Sequence, residues 1–166
     1  MNTQEISTNL FQLLNGKDLG SKQQEAMMLL TLSQDLWPHV AMISVGEVIA
    51  IRSTELKLSL WPNTITTSNI IRTGKATLVI IFNGIAHYIK LSLRKLPELA
   101  DAKHKRERFS AKVVSYREDI AKYAEITSGI QIQLKDPASV LKRWNETIED
   151  LLTQLSQSKI LFKCLM

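Results

Sequence analysis

The sequence predicts a mainly β (α+β) fold, an antiparallel closed or split β-barrel with helices at its rim. Three observations carry this expectation. From about residue 26 to residue 93, apolar residues recur with period two between turn residues. Asn83-Gly84 is the strongest hairpin signal in the chain, because both residues tolerate positive φ. Past Leu96-Pro97 the apolar spacing changes to helical steps, so strands come first and helices late.

Taken in order, Thr8-Asn9 can cap a short helix carrying Leu10, Phe11, Leu13 and Leu14, closed by Gly16. Ser21 with Gln24 resembles a capping box. Met28, Leu30 and Leu32 alternate as in a strand, although Met and Leu also favour helix. Beyond Trp37-Pro38, the runs His39 to Val45 and Glu47 to Arg52 flank Gly46 as in a hairpin. Lys57 to Leu60 and Lys75 to Phe82 add strands. Ile85 to Leu93 follows Asn83-Gly84 with Ile85, His87, Ile89, Leu91 and Leu93 on one face. His87 thus lies in an apolar row and is expected to be a hydrogen-bonded core histidine rather than a catalytic base.

Phe109, Val113, Tyr116, Ile120 and Tyr123 follow i+4 and i+3 steps, which predicts an amphipathic helix over about 102–124. Period two returns over about 126–135, predicting one more strand. Asp136 as N-cap and Pro137 at the first helical position open a final helix to about residue 157. Its apolar stripe is Leu141, Trp144, Ile148, Leu151 or Leu152, and Leu155. All of this forms a single domain over 1–166.

Composition limits the function classes. The longest unbroken apolar run, Leu78 to Phe82, is far short of a membrane span, and the N-terminus shows no basic region followed by an apolar core. One cysteine, Cys164, excludes an internal disulfide and a thiolate metal cluster, and no metal site is expected. These features fit the cytoplasm. The net charge of +5 is concentrated in Lys103, His104, Lys105, Arg106 and Arg108. That cluster lacks the interleaved aromatics of a base-stacking surface, so no nucleic-acid partner is expected. A solvated helix face is the expected explanation, with an anion-binding edge as the alternative.

The chemistry concentrates in the stretch from Leu60 to Leu78. Pro62-Asn63 ends a strand, and Asn63, Thr64, Thr66, Thr67 and Ser68 then supply polar oxygens, four of them hydroxyls. Asn69 to Arg72 can form one helical turn capped by Thr67 or Ser68 and ended by Gly74 in a left-handed conformation. Free N–H groups at a helix start beside hydroxyl donors suit a phosphate. An ordinary polar loop with a good cap is the competing explanation. No catalytic triad or carboxylate pair accompanies it, and catalytic residues are not assigned.

Three segments together resemble one family: Leu32 to Val45, the strand ending in Leu60-Trp-Pro62, and Thr64-Ile-Thr-Thr-Ser-Asn-Ile-Ile-Arg-Thr-Gly-Lys-Ala76. They are similar to the FMN-binding split-barrel proteins related to pyridoxamine 5'-phosphate oxidase. The resemblance covers about residues 26 to 93 well and the remainder by element order. It implies a homodimer with FMN in a groove at the subunit interface, and Thr64, Thr66, Thr67, Ser68, Asn69 and Arg72 as cofactor-binding residues. Basic residues common in that family's phosphate segment fall here on Ile65, Thr66 and Ser68. Charge-assisted contacts, about twice as strong as neutral ones, are therefore lost. Lys57, Arg52, Arg72 or the basic cluster around Lys105 are the candidates to replace them.

Three function classes stay open. One is an FMN-dependent oxidoreductase, whose flavin does the redox chemistry while the protein orients it. The second is a non-catalytic protein that binds or senses flavin, haem or another small ligand. The third is an interaction protein whose basic segment docks an acidic partner. A dimer is also expected from Ile43, Val45, Val48, Ile49, Ile51, Val79, Ile80 and Ile81, too many apolar strand residues for one small interior. Helices of the same chain covering that surface are the competing explanation.

Overall fold

The computed structural model describes residues 3–164, with side chains to residue 153. Helix α1 (Thr8–Leu13) and a 3-10 turn (Leu19–Lys22) precede β1 (Glu25–Leu32), β2 (Pro38–Ser44), β3 (Val48–Arg52) and β4 (Glu55–Leu60). Helix α2 (Ile65–Thr73) then leads to β5 (Lys75–Phe82), β6 (Ile85–Lys95), β7 (Glu107–Asp119), the two-residue β8 (Ile130–Gln131) and α3 (Pro137–Cys164). One antiparallel sheet runs in the order β2-β1-β5-β6-β7-β4-β3, with β8 added beside β1. Its end strands, β2 and β3, are joined by only Val45-Gly46-Glu47. The sheet must therefore curl until its ends approach one another, which makes a split half-barrel.

Several local signals appear as expected. Asn83 and Gly84 both have positive φ, and Phe82 pairs with Ile85 across the turn. Gly74 ends α2 at φ 65°. Asp136 Oδ1 accepts from the Ser139 N–H at 3.2 Å, with Pro137 opening α3. Of the alternatives at the next turns, Leu151 is buried and Leu152 faces out. Leu155 and Cys164 lie outside the described side chains. The Ser21–Gln24 capping box does not form; that segment is the 3-10 turn, capped at Asp18 without a side-chain bond.

Three expectations are corrected. The helix over 102–124 is instead β7, and of the strand over 126–135 only Ile130–Gln131 is paired. Phe109, Ala111 and Val113 alternate inward as a strand should. The register then slips: Leu91 pairs with Val113 but Lys90 with Ser115, leaving Val114 as an extra residue. This bulge returns Tyr116 to the inner face, so 109, 113 and 116 imitate helical spacing. Ile120 and Tyr123, which would continue a helical stripe, are 61% and 95% exposed.

Second, β2 and β3 do not pair as a hairpin, since they lie at opposite ends of the sheet. Third, Lys103 to Arg108 is not a helix face. Arg106 directly precedes β7 and Arg108 lies in it opposite Ser59 of β4; both side chains are covered, while Lys103 and His104 pair with Glu149 and Glu146 of α3.

The residues offered for dimerisation are also reassigned. Ile43, Val45, Val48, Ile49 and Ile80 are buried within the single chain, beneath α1 and α3 as well as inside the barrel, while Ile51, Val79 and Ile81 are half-buried. The exposed apolar set is different: Leu32, Val40, Met42 and Val114, on the sheet's outer face.

His87 is a core histidine, 1% exposed, with Nδ1 2.9 Å from the Tyr116 hydroxyl. That hydroxyl donates to Glu118 at 2.5 Å and is pushed up to about 12 by burial and by the carboxylate. Burial holds the His87 imidazole below its ordinary 6.5, opposed by the Phe82 carbonyl and Glu118. The unfolded chain therefore takes up a proton near 6.5 while the folded chain still resists it. Stability falls as pH drops through that window, because the unfolded state binds more protons there. We expect the melting temperature to decline on acidification from about pH 7, and His87→Gln to flatten that part of the profile. An equally steep decline in the variant would remove His87 from the explanation.

Candidate functional site

The segment after β4 folds by its own side chains. Pro62-Asn63 turns the chain, with Asn63 at φ 58°. Thr64 is the N-cap of α2: its Oγ1 accepts from the Thr67 N–H at 3.2 Å, and Thr67 Oγ1 accepts from the Thr64 N–H at 3.1 Å. This reciprocal box satisfies two N–H groups and starts the helix a full turn earlier than Asn69. The earlier start was legible in a Thr-x-x-Thr spacing, with threonine standing where glutamate is usual.

The box also decides which groups remain free. Thr64 and Thr67 hydroxyls bond each other at 3.0 Å, and Thr66 and Thr67 are buried. Asn69 is buried too: its Nδ2 donates to Thr31 Oγ1 at 3.1 Å and Ser33 Oγ at 3.3 Å. Arg72 Nη2 donates to Asn69 Oδ1 at 3.2 Å and to the Leu32 carbonyl. This network locks α2 onto the end of β1. Thr64, Ser68, Asn69 and Arg72 line a hollow of about 500 Å3, closed by Asn63, Ile65, Ser33 and Gln34. Thr66 and Thr67 support it from behind. The hollow is lined by the exposed Ser68, by Arg72 and by Ile65, whose first-turn N–H has no intrahelical acceptor.

A second, larger cleft of about 740 Å3 adjoins it on the outer face of the sheet. Leu30, Leu32 and Pro38 form one wall, Val114 another, and Thr73 to Thr77 with Lys90 and Ser92 the floor and rim. The two linings share no residue but reach adjacent chain positions at Leu32 and Ser33 and at Arg72 and Thr73. Lys75 and Lys90 supply the cleft's positive charge. Sequence reasoning missed both lysines and the β1 wall, because outward positions on a strand look like solvated ones. The other candidate cations are elsewhere. Lys57 is buried and donates to the Leu151 carbonyl, and Arg52 pairs with Glu55.

No family model matches the chain. Solved structures with similar architecture include a candidate pyridoxamine 5'-phosphate oxidase from Lactobacillus delbrueckii. It is 14% identical with a TM-score of 0.55, over 69% of this chain and 95% of that one. HupZ of Group A Streptococcus matches at a TM-score of 0.53 and 11% identity, over 68% of this chain and 98% of that one. The curled antiparallel sheet with its flanking helices is thus the split barrel of the pyridoxamine 5'-phosphate oxidase-like proteins. Within that fold, the chain belongs to one family with the uncharacterized protein YclD of Bacillus subtilis (strain 168). The two are 52% identical over 146 residues, 88% of this chain and 95% of YclD. Among the described residues, no helix is long and apolar enough to cross a membrane.

Proposed function

We propose that this chain is an FMN-binding split-barrel protein, a flavin-dependent oxidoreductase whose substrate is a small molecule. The observation that carries this is the proximity of the two concavities: an apolar-walled cleft suited to a planar ring lies beside a polar hollow suited to a phosphate-bearing tail. FMN has both parts, and its isoalloxazine would supply the redox chemistry. Ser68, Arg72 and the first-turn amides would hold the phosphate; Thr64, Thr66, Thr67 and Asn69 shape the hollow that receives it. Lys75 and Lys90 place positive charge along the ring's cleft, and Leu30, Leu32 and Val114 exclude water from it. The haem alternative has less support, because the cleft's lining includes no histidine, cysteine, methionine or tyrosine to ligate iron.

One cation in the hollow gives a graded test. Arg72→Gln should weaken FMN binding on the order of tenfold, the effect of one charge-assisted hydrogen bond. Riboflavin, which lacks the phosphate, should bind the variant and the wild type alike. A parallel loss for riboflavin would mean that Arg72 acts only by bracing Asn69 and Leu32.

The proposal extends to a homodimer through the outer face, where Leu32, Val40, Met42 and Val114 stand exposed beside the cleft. A second copy there would complete the cleft's open side. Light scattering at micromolar concentration should return twice the 18.8 kDa chain mass. A mass near 18.8 kDa would reject the dimer. The cytoplasm is the compartment we propose, on the single cysteine.

A further inference from the structure

Beyond the cleft, the most unusual polar arrangement lies around Trp61, where β4, β7, α3 and the β2–β3 turn meet. The β4–β7 register pairs Ser59 with Arg108 and Leu60 with Glu107, which brings Trp61 beside Arg106. The Arg106 guanidinium carbon stands 3.5 Å from the Trp61 ring centroid, and that of Arg143, from α3, stands 5.8 Å from it. Arg106 faces the Glu47 carboxylate, whose Oε1 is 3.9 Å from Arg106 Nη1, too far for a hydrogen bond. Its other oxygen is occupied by the Ser44 N–H at 2.8 Å and hydroxyl at 3.0 Å.

The Arg106 side chain is only 4% exposed, yet among the described residues its Nε and Nη1 have no hydrogen-bond partner, and Arg143 Nε and Arg108 Nη1 are likewise buried and without one. Buried polar groups are almost always paired, and a charged one is the costliest to leave alone. Two guanidinium groups face one carboxylate, which leaves one positive charge in excess. The basic neighbours Lys103 and His104 are already matched by Glu149 and Glu146, so the deficit of acceptors is confined to the arginines.

We propose that Arg106 and Arg143, walled by Trp61, form a binding site for a small oxyanion of the phosphate class. A planar fork of N–H donors suits tetrahedral oxygens. Trp61 is half-exposed and lies over the Arg106 guanidinium, on the solvent side of the pair. The site is separate from the α2 hollow, whose cation is Arg72. Its occupant would tie α3 to the β4–β7 face by bridging residues from both.

The test is a titration of the full chain with inorganic phosphate, balanced with chloride to constant ionic strength. Tryptophan fluorescence and the thermal midpoint are both read. We expect a saturable rise in midpoint with a matching fluorescence change. Arg143→Gln should raise the half-saturating concentration about tenfold, the effect of one charge-assisted contact. Trp61→Phe should abolish the fluorescence change while keeping a saturable midpoint rise. Glycerol phosphate acting at lower concentration than inorganic phosphate would identify the occupant as a phosphomonoester; the reverse order would identify the free ion. Wild-type protein that responds to phosphate as it does to chloride would overturn the site, as would an equal response in Arg143→Gln. If Arg143→Gln does not fold, the wild-type and Trp61→Phe titrations decide alone.

Discussion

Gly46→Ala is expected to destabilise the protein by about 3 kcal/mol or more, at the upper end of overpacking effects. Gly46 sits in the three-residue turn between the two end strands, and an added Cβ would lie 2.0 Å from Trp144 Cγ. Cδ1 and Cδ2 would follow at 2.3 and 2.5 Å. The clash is at the root of the indole, so rotating the far end of the side chain cannot relieve it. Trp144 is 5% exposed and anchors α3 on the barrel, so either the helix lifts or the turn opens. A urea midpoint well below wild type, with Trp144 fluorescence moved towards that of an exposed indole, is the expected result. An unchanged midpoint would show that α3 is not seated on Gly46.

Phe109→Ala should cost about 3–5 kcal/mol, the range for deleting a fully buried aromatic side chain. Phe109 is 0% exposed near the start of β7, opposite Leu58 of β4 on one side and Lys95 of β6 on the other. Its neighbours are held by ladders on both flanks and cannot collapse into the vacated volume. Since a domain of this kind has only about 5–15 kcal/mol in total, most molecules approach the unfolding threshold. Chemical denaturation with an unchanged m-value checks this. A loss under about 1 kcal/mol would contradict the inward placement of Phe109.

The elements read correctly from sequence are those fixed by neighbouring residues. Asn83-Gly84, Gly74 and Asp136-Pro137 each set a local backbone geometry, and each appears as expected. What the sequence hid depends on partners distant along the chain. In β7 the bulge at Val114 is imposed by pairing with β6, and it disguised a strand as a helix. Gly46 looked like a hairpin glycine, yet its missing side chain makes room for Trp144, almost a hundred residues later. The hydroxyl-rich segment was visible as a helix start. That Thr64 and Thr67 bond each other, leaving Ser68 and Arg72 exposed to the hollow, follows only from the helix beginning at Ile65. Arg106 and Arg108 likewise read as surface charge until β4 and α3 covered them.

Titrating the purified full chain with FMN decides whether the cleft and the α2 hollow together hold the cofactor. Flavin fluorescence at equilibrium provides the signal. Saturable binding of one flavin per chain is expected, with FMN held more tightly than riboflavin because only FMN reaches Ser68 and Arg72. Absence of saturable FMN binding up to millimolar concentrations, or equal affinity for riboflavin, would contradict it.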